Sequence, residues 1–275
     1  MIRERFVDVL NILARDVLRI EYTEIEAPSR ASALPTLQGS PRMAQASPSF
    51  SSLAGHRPRI STAGESALLL DASAGRFDLD QQKRIWSLSR QLPLDPAWSA
   101  LVETVVGVNN ILVVYDPLQM GATQARAALE MAWDLAAPTD VQSRTFEIQV
   151  TYGGAQGYDL DDVAKSTGLS ADDVVAIHSS ATYIVAAIGA MPGYPYMVGL
   201  PSELHIPRRE SPRVRIDSGA IIIAGEQASI FPQSGPCGWH VIGKANFACF
   251  DPAAETPCVL QPGDKVIYVP KAVIR

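Results

Sequence analysis

The spacing of apolar residues changes several times along this 275-residue chain, and each spacing predicts a different element. Residues 2–20 place Phe6, Leu10, Leu13, Val17 and Ile20 at alternating four- and three-residue steps, which gathers all five on one face of a helix. From about Glu26 to Arg57 the chain is rich in Ser, Pro and Ala with no sustained period, the composition of a flexible linker. The pattern changes at Arg59. Ala67 to Leu70 is an apolar run, and Leu79 to Leu92 shows helical spacing through Ile85, Leu88 and Leu92. Val102 to Val106 and Ile111 to Val114 read as strands around the turn-forming Gly107-Val108-Asn109-Asn110. Thr123 to Leu135 reads as a further helix, with Ala127, Leu129, Met131, Ala132 and Leu135 as its apolar stripe. The order β, α, β, β, α predicts a small two-layer α/β domain with both helices on one face of the sheet.

Pro138 to Arg144 reads as a short linker, after which Phe146, Ile148 and Val150 alternate with polar residues as in a strand. Two helical segments follow. The second opens with Ser170-Ala171-Asp172-Asp173, where the serine can cap the helix and the acids suit its positive end. Short strands come next at Thr182–Ile188, Val214–Ile216, Ala220–Ala224, Ala228–Phe231, His240–Ile242 and Lys265–Val269, separated by Gly and Pro turns. Such a series predicts a β-barrel or sandwich with a few helices attached. The expected class is α+β: an N-terminal extension over 1–57, the small α/β domain over 58–140, and the β domain over 141–275.

Charged residues make up 19% and hydrophobic residues 47% of the chain, which places it among globular proteins and not disordered ones. A net charge of −6 argues against nucleic-acid binding, which needs a basic face. Lys and Arg are dispersed except for Arg208, Arg209, Arg213 and Arg215. Guanidinium forks match carboxylates and phosphates, so this cluster is a candidate anion site; the competing reading is a solvated loop with local salt bridges. Cys237, Cys249 and Cys258 form no CxxC unit and are odd in number, so neither a disulfide framework nor a metal site is expected, and a reducing cytoplasm fits. No apolar run approaches the ~18 residues a membrane span needs. Asp8, Arg15 and Asp16 interrupt any signal-peptide pattern, so an unexported, soluble protein is expected.

The chain lacks a P-loop, GxGxxG, HExxH and GxSxG. Gly153-Gly154-Ala155-Gln156-Gly157 has no following Lys-Ser or Lys-Thr and reads as a tight turn into a helix. His178, near the end of the Ser170-capped helix, ranks first among acid/base candidates because the negative helix end favours an imidazolium; the plainer reading is a residue bonding local carbonyls. His205, His240 and His56 rank below it. Pro192-Gly193-Tyr194-Pro195-Tyr196 joins two aromatics to a stiff turn, a rim able to stack on a planar ligand or to pack against a partner. Glu226 and Gln227 place a carboxylate and a carboxamide at a strand end, where they can orient an amide or form a polar rim.

The segments Gly189 to Leu200, Pro207-Arg208, Pro212-Arg213, Ala224-Gly225-Glu226-Gln227, Phe231-Pro232 and Gly238-Trp239 together resemble the allophanate hydrolase subunit 1 family. That family includes the B subunits of bacterial 5-oxoprolinase and the sensor-kinase inhibitor KipI. The resemblance runs from about Arg59, with RISTAGESALLLD, to the closing LQPGDKVIYVP. It implies a cyclophilin-like barrel for the β domain. It implies a subunit of an ATP-dependent lactam hydrolase, inactive alone, that opens 5-oxo-L-proline to glutamate with ATP bound by the assembled complex. A C-type partner would complete the pocket and an A-type subunit would carry the hydrolytic step. His178, Arg208 and Arg213 are then the expected catalytic residues, and Pro192, Gly193, Tyr194, Tyr196, Glu226, Gln227, Gly238 and Trp239 the expected substrate-binding ones. The chain departs from the family pattern at Cys237, where relatives tend to carry glycine, and at Ala228-Ser229, where a Thr-Gly pair is usual. A KipI-like kinase inhibitor and half of a urea or allophanate-type biotin-dependent carboxyltransferase are the alternatives.

Overall fold

The computed structural model describes residues 57–73 and 75–275. The expected terminal helix and linker, with His56, lie outside the described residues apart from Arg57.

Strands β1 (Arg59–Thr62), β2 (Ala67–Asp71), β3 (Leu101–Val106) and β4 (Asn110–Tyr115) form an antiparallel sheet in the order β1-β2-β4-β3. Side-chain alternation turns Leu68, Leu70, Ile111, Val113 and Tyr115 to one face, where they meet Ile85 and Leu88 of α1 (Leu79–Gln91) and Leu129 and Trp133 of α2 (Ala122–Leu135). Both helices therefore cover the same face, as expected. Asp78 caps α1 by accepting the Gln81 N–H at 3.0 Å. Strand β1 escaped prediction because Arg-Ile-Ser-Thr at a sheet edge carries no apolar run. The predicted stripe of α2 is displaced: Ala125, Leu129 and Trp133 are buried, while Met131 is 66% and Leu135 77% exposed. Both stripes are apolar, and the one holding Trp133 removes the larger ring from water.

The remaining strands are β5 (Thr145–Gly153), β6 (Thr182–Ile188), β7 (Pro195–Val198), β8 (Arg213–Ile216), β9 (Ala220–Ala224), β10 (Gln227–Ile230), β11 (Gly235–Cys237), β12 (His240–Ala245) and β13 (Lys265–Ile274). Seven of them close a barrel in the order β10-β7-β6-β13-β5-β12-β9, while β8 and β11 pair as a separate ribbon. Strand β13 runs parallel to β5, and the other pairings are antiparallel. Val150, Val185, Met197, Ile221, Ile223, Ile230 and Val266 fill the main barrel core. The class is α+β, as the sequence predicts. Strands β7 and β11 were not predicted; each is short and contains a proline, Pro195 or Pro236, which weakens any strand signal. Helix α1 joins the sheet to the barrel, because Trp86 Nε1 and Gln82 Nε2 both donate to the Ala186 carbonyl of β6, at 2.9 and 3.1 Å.

Helices α3 (Leu160–Thr167) and α4 (Ala171–Ser180) pack onto the barrel, α4 opening with the expected cap, a complete capping box between Ser170 and Asp173. Near the end of α4, His178 is fully buried among aromatic side chains. Its Nδ1 lies 2.9 Å from Tyr152 Oη, its ring stacks on Tyr268 at 4.7 Å, and Tyr183 Oη donates to its carbonyl at 3.0 Å. This setting does not favour the imidazolium that the helix end led one to expect. Desolvation outweighs the helix end and pushes the imidazole pKa from 6.5 down to about 3. Among the described residues no helix is long and apolar enough to cross a membrane.

Gly193 sits at φ 75°, and a Cβ there would fall 2.7 Å from the Cys249 carbonyl oxygen. The turn is closed by Tyr194 N–H to Met191 O and Gly189 N–H to Tyr194 O, both at 3.1 Å. Gly193→Ala should therefore cost about 1–3 kcal/mol from left-handed strain plus backbone crowding. A urea midpoint equal to that of the wild type would contradict this. His178 gives a pH signature. Folded His178 stays neutral down to about pH 3, whereas the unfolded chain takes up a proton near 6.5. Stability is thus complete above pH 6.5 and falls as pH drops below it, by up to about 1.4 kcal/mol per unit. In His178→Gln, the stability difference between pH 7 and pH 5 should shrink by about 2 kcal/mol. An undiminished difference in urea titrations would mean that the imidazole protonates inside the fold.

Candidate functional site

Strand β9 reads Ala-Ile-Ile-Ile-Ala and every residue of it is buried, so both of its faces are covered. Ile221 and Ile223 point into the barrel. Ala220, Ile222 and Ala224 point outward and pack with Tyr194, Ile216, Phe231, Cys237, Trp239 and Val241 in a second core, flanked by Met191 and Tyr196. The β8–β11 ribbon and the loops that flank it lie over this outer face. Tyr194 tilts against Tyr196 at 4.8 Å and meets Phe231 and Trp239 edge-on at 6.0 and 6.2 Å.

The segments that carried the family resemblance thus converge, but as a core more than as a rim. Tyr194 and Trp239 are each 5% exposed and stand inside it. Burial drives the Tyr194 phenol well above its ordinary pKa and raises that of half-buried Tyr196. Gly193 is buried in its turn and Pro192 is exposed beside it. Gly238 is half-buried, and its carbonyl accepts the Arg209 N–H at 2.8 Å. Cys237 is buried and its thiol pKa is raised, mainly by desolvation, which disfavours a nucleophilic thiolate. Glu226 is the exposed tip of the β9–β10 hairpin. Half-buried Gln227 pairs with Ala224 and Val198, on the outward face that it shares with Ser229. It sits at the opposite end of β10 from Phe231. His178 packs instead with Tyr152, Tyr183 and Tyr268 of the main barrel core.

The basic cluster is organised by a residue the sequence reading did not single out. Asp159, at the start of α3, is fully buried. One of its carboxylate oxygens accepts Arg209 Nη1 at 2.7 Å and also Arg213 Nη2; the other accepts the Val241 N–H at 2.9 Å. Its own N–H donates to the Val241 carbonyl at 2.9 Å. The hydrogen bond that Arg213 donates to Asp159 holds its guanidinium above its usual pKa despite desolvation. The Arg213 guanidinium also lies 4.3 Å above the Tyr158 ring, and that of Arg208 lies 5.9 Å from the Trp239 ring. Tyr158 is 41% exposed, and burial raises its phenol pKa against the opposing pull of Arg213. The loop that carries the arginines is fastened to the barrel by the Ile206–Gly225 bridge and by His240 Nε2, 3.0 Å from the Pro207 carbonyl. Weaker candidate His205 lies near the surface with Nε2 2.9 Å from Leu200 O. Asp159 was missed because its partners lie 50, 54 and 82 residues away, beyond any local pattern. The available signal was an acid just past the Gly153–Gly157 turn, which does form as a tight turn into α3.

Together these groups form a guanidinium-rich surface on an aromatic base, suited to an anion. Comparison with known proteins agrees with the motifs. The 5-oxoprolinase B subunit of Escherichia coli O157:H7 is 40% identical over 215 residues, covering 78% of this chain and 97% of its own. The corresponding B subunit of Haemophilus influenzae is 37% identical over 195 residues, covering 71% and 90%. The crystal structure of TTHA0988 matches with a TM-score of 0.63 at 31% identity over 74% of this chain; the match spans only 39% of that longer chain. The family described as carboxyltransferase domain, subdomain C and D, matches residues 58–260. The chain belongs to this carboxyltransferase-domain family.

Proposed function

We propose that this chain is the B-type component of an ATP-dependent 5-oxoprolinase, which opens 5-oxo-L-proline to L-glutamate together with C-type and A-type subunits. The observation that carries the reading is the 40% identity to a 5-oxoprolinase B subunit over 97% of that protein's length. The site geometry supports it. Opening an unstrained lactam requires an activated carbonyl, and in the proposed reaction ATP supplies a phosphoryl group to the lactam oxygen as ADP leaves. Water then adds to the activated carbon, the ring C–N bond breaks as the nitrogen leaves with a proton, and a second water hydrolyses the resulting acyl phosphate to the carboxylate and inorganic phosphate. Each stage carries anionic oxygens, and positive charge held in advance near them lowers the barrier. Arg208, braced on Trp239, is the proposed supplier at the phosphoryl oxygens, and Arg213, braced on Asp159 and Tyr158, adds positive charge beside it.

The remaining residues support the pocket in this scheme. Tyr196 and Gln227 face outward along β7 and β10, and the turn at Pro192 and Gly193 fixes the entry to β7. The free Cys237, Cys249 and Cys258 suit a reducing cytoplasm. The arginine side chains are open to solvent on one side, Arg213 by 31% and Arg209 by 23%, consistent with a pocket that another polypeptide completes.

Reconstitution tests the reading. The chain co-expressed with C-type and A-type subunits should release glutamate from 5-oxo-L-proline only when ATP is present, and the chain alone should release none. Glutamate formation by the chain alone, or its absence from the full assembly, would overturn the proposal.

A further inference from the structure

We propose that Arg209 and Arg213 form a two-pronged clamp for the carboxylate of the ring substrate, and that Asp159 is the positioning residue that holds both prongs. The identity of the substrate rests on the reading above; the clamp itself rests on geometry. Asp159 is fully buried and its position is locked, because its carboxylate and its backbone N–H are both bonded to Val241 of β12. The acid therefore faces inward, and it is the guanidinia that reach the surface, 23% and 31% exposed.

Each arginine uses an Nη atom on Asp159, while the Nε atoms of both are buried without a hydrogen-bond partner. The Nε atoms are closed off from solvent, so it is the second Nη of each guanidinium, which has no hydrogen bond to another described residue, that is left for a ligand oxygen. The charges agree. Two guanidinia share the single negative charge of Asp159. Exposed Asp162 adds a solvent-screened attraction on Arg213, and Arg208 adds charge of the other sign. An excess of about one positive charge matches a monoanion such as a carboxylate better than a polyphosphate. The Tyr158 ring beneath Arg213 gives the clamp an apolar wall.

Phenylglyoxal labelling of the assembled complex, read by peptide mass spectrometry, tests the clamp without relying on turnover. Labelling of Arg209 and Arg213 should slow in 5-oxo-L-proline and stay unchanged in 2-pyrrolidinone, the same ring without a carboxylate. Equal rates in both, or protection by inorganic phosphate alone, would overturn the clamp. Glutamate release is followed in parallel. Turnover without protection refutes the clamp and leaves the assigned function standing, whereas protection without turnover does the reverse.

Asp159→Asn tests the positioning role through the sign of its effect. Removing a negative charge would tighten a site that acts by charge alone and lower KM for 5-oxo-L-proline. Loss of orientation should instead raise KM, by about 10- to 100-fold for a charged hydrogen bond set out of place, with kcat changing less. A lower or unchanged KM would refute the role. Should that variant fail to fold, Arg209→Lys keeps the charge and removes the fork; the clamp predicts a rise in KM of similar size, and an unchanged KM counts against it.

Discussion

A carboxylate taken wholly out of water costs several kcal/mol unless hydrogen bonds and opposite charge replace its hydration. Asp159 meets that requirement with two arginines and a backbone N–H, and the three partners come from distant parts of the chain. The acid starts α3, the N–H belongs to β12, and the arginines lie in and after the loop that precedes β8. One buried charge thus ties a helix start, a barrel strand and a surface loop together. Removing one partner of such a group typically costs about 3–5 kcal/mol, so the loop has little freedom to leave. A functional surface built on that loop inherits its rigidity, the property that positioning a ligand demands.

The same strands serve two cores. Alternation along β9 sends Ile221 and Ile223 into the barrel and Ile222 outward under the ribbon, and β7 and β10 do likewise with Met197 and Ile230 against Tyr196 and Ser229. Ser229, fully buried, donates to the Pro195 carbonyl at 2.7 Å and ties β10 to the turn that holds Tyr194. The aromatic cluster therefore acts as a footing. Tyr194, Phe231 and Trp239 bury their rings and leave the outer surface to Arg208, Arg209, Arg213 and Tyr158. The guanidinium of Arg208 rests near the Trp239 ring, so the footing and the charged surface are joined through that residue.

What could be read beforehand was what depends on neighbours in sequence. The helix from Leu79 and the Ser170 cap follow from spacings of three and four residues, and both formed. The barrel was suggested by many short strands between Gly and Pro turns, although β7 and β11 stayed hidden behind Pro195 and Pro236. Where two apolar stripes competed, as in α2, the choice belonged to the sheet beneath, which received Trp133 and left Met131 in water. His178 shows the opposite failure. Its place on the helix argued for charge, but three tyrosines from β5, β6 and β13 enclose it and make it a neutral core residue. The arginines were legible as a cluster because they are close in sequence, and Asp159 was not because its partners are far.

Arginine, and not lysine, suits both positions around Asp159. A lysine ammonium satisfies a carboxylate as a compact, strongly hydrated point, and burying it beside a second cation would favour losing its proton. A guanidinium keeps its charge under the same desolvation, and the Asp159 bond shifts Arg213 further in that direction. Its planar fork also divides the work: one edge goes to the buried acid while the rest stays available at the surface. In the proposed assembly, a second polypeptide that covers this surface would remove water from the exposed side. Attraction between charges grows as the surrounding dielectric falls, so the same two arginines would hold an anion more strongly in the assembly than in the isolated chain. On this reasoning a site left half open by one polypeptide is weak alone without any part of it being out of place.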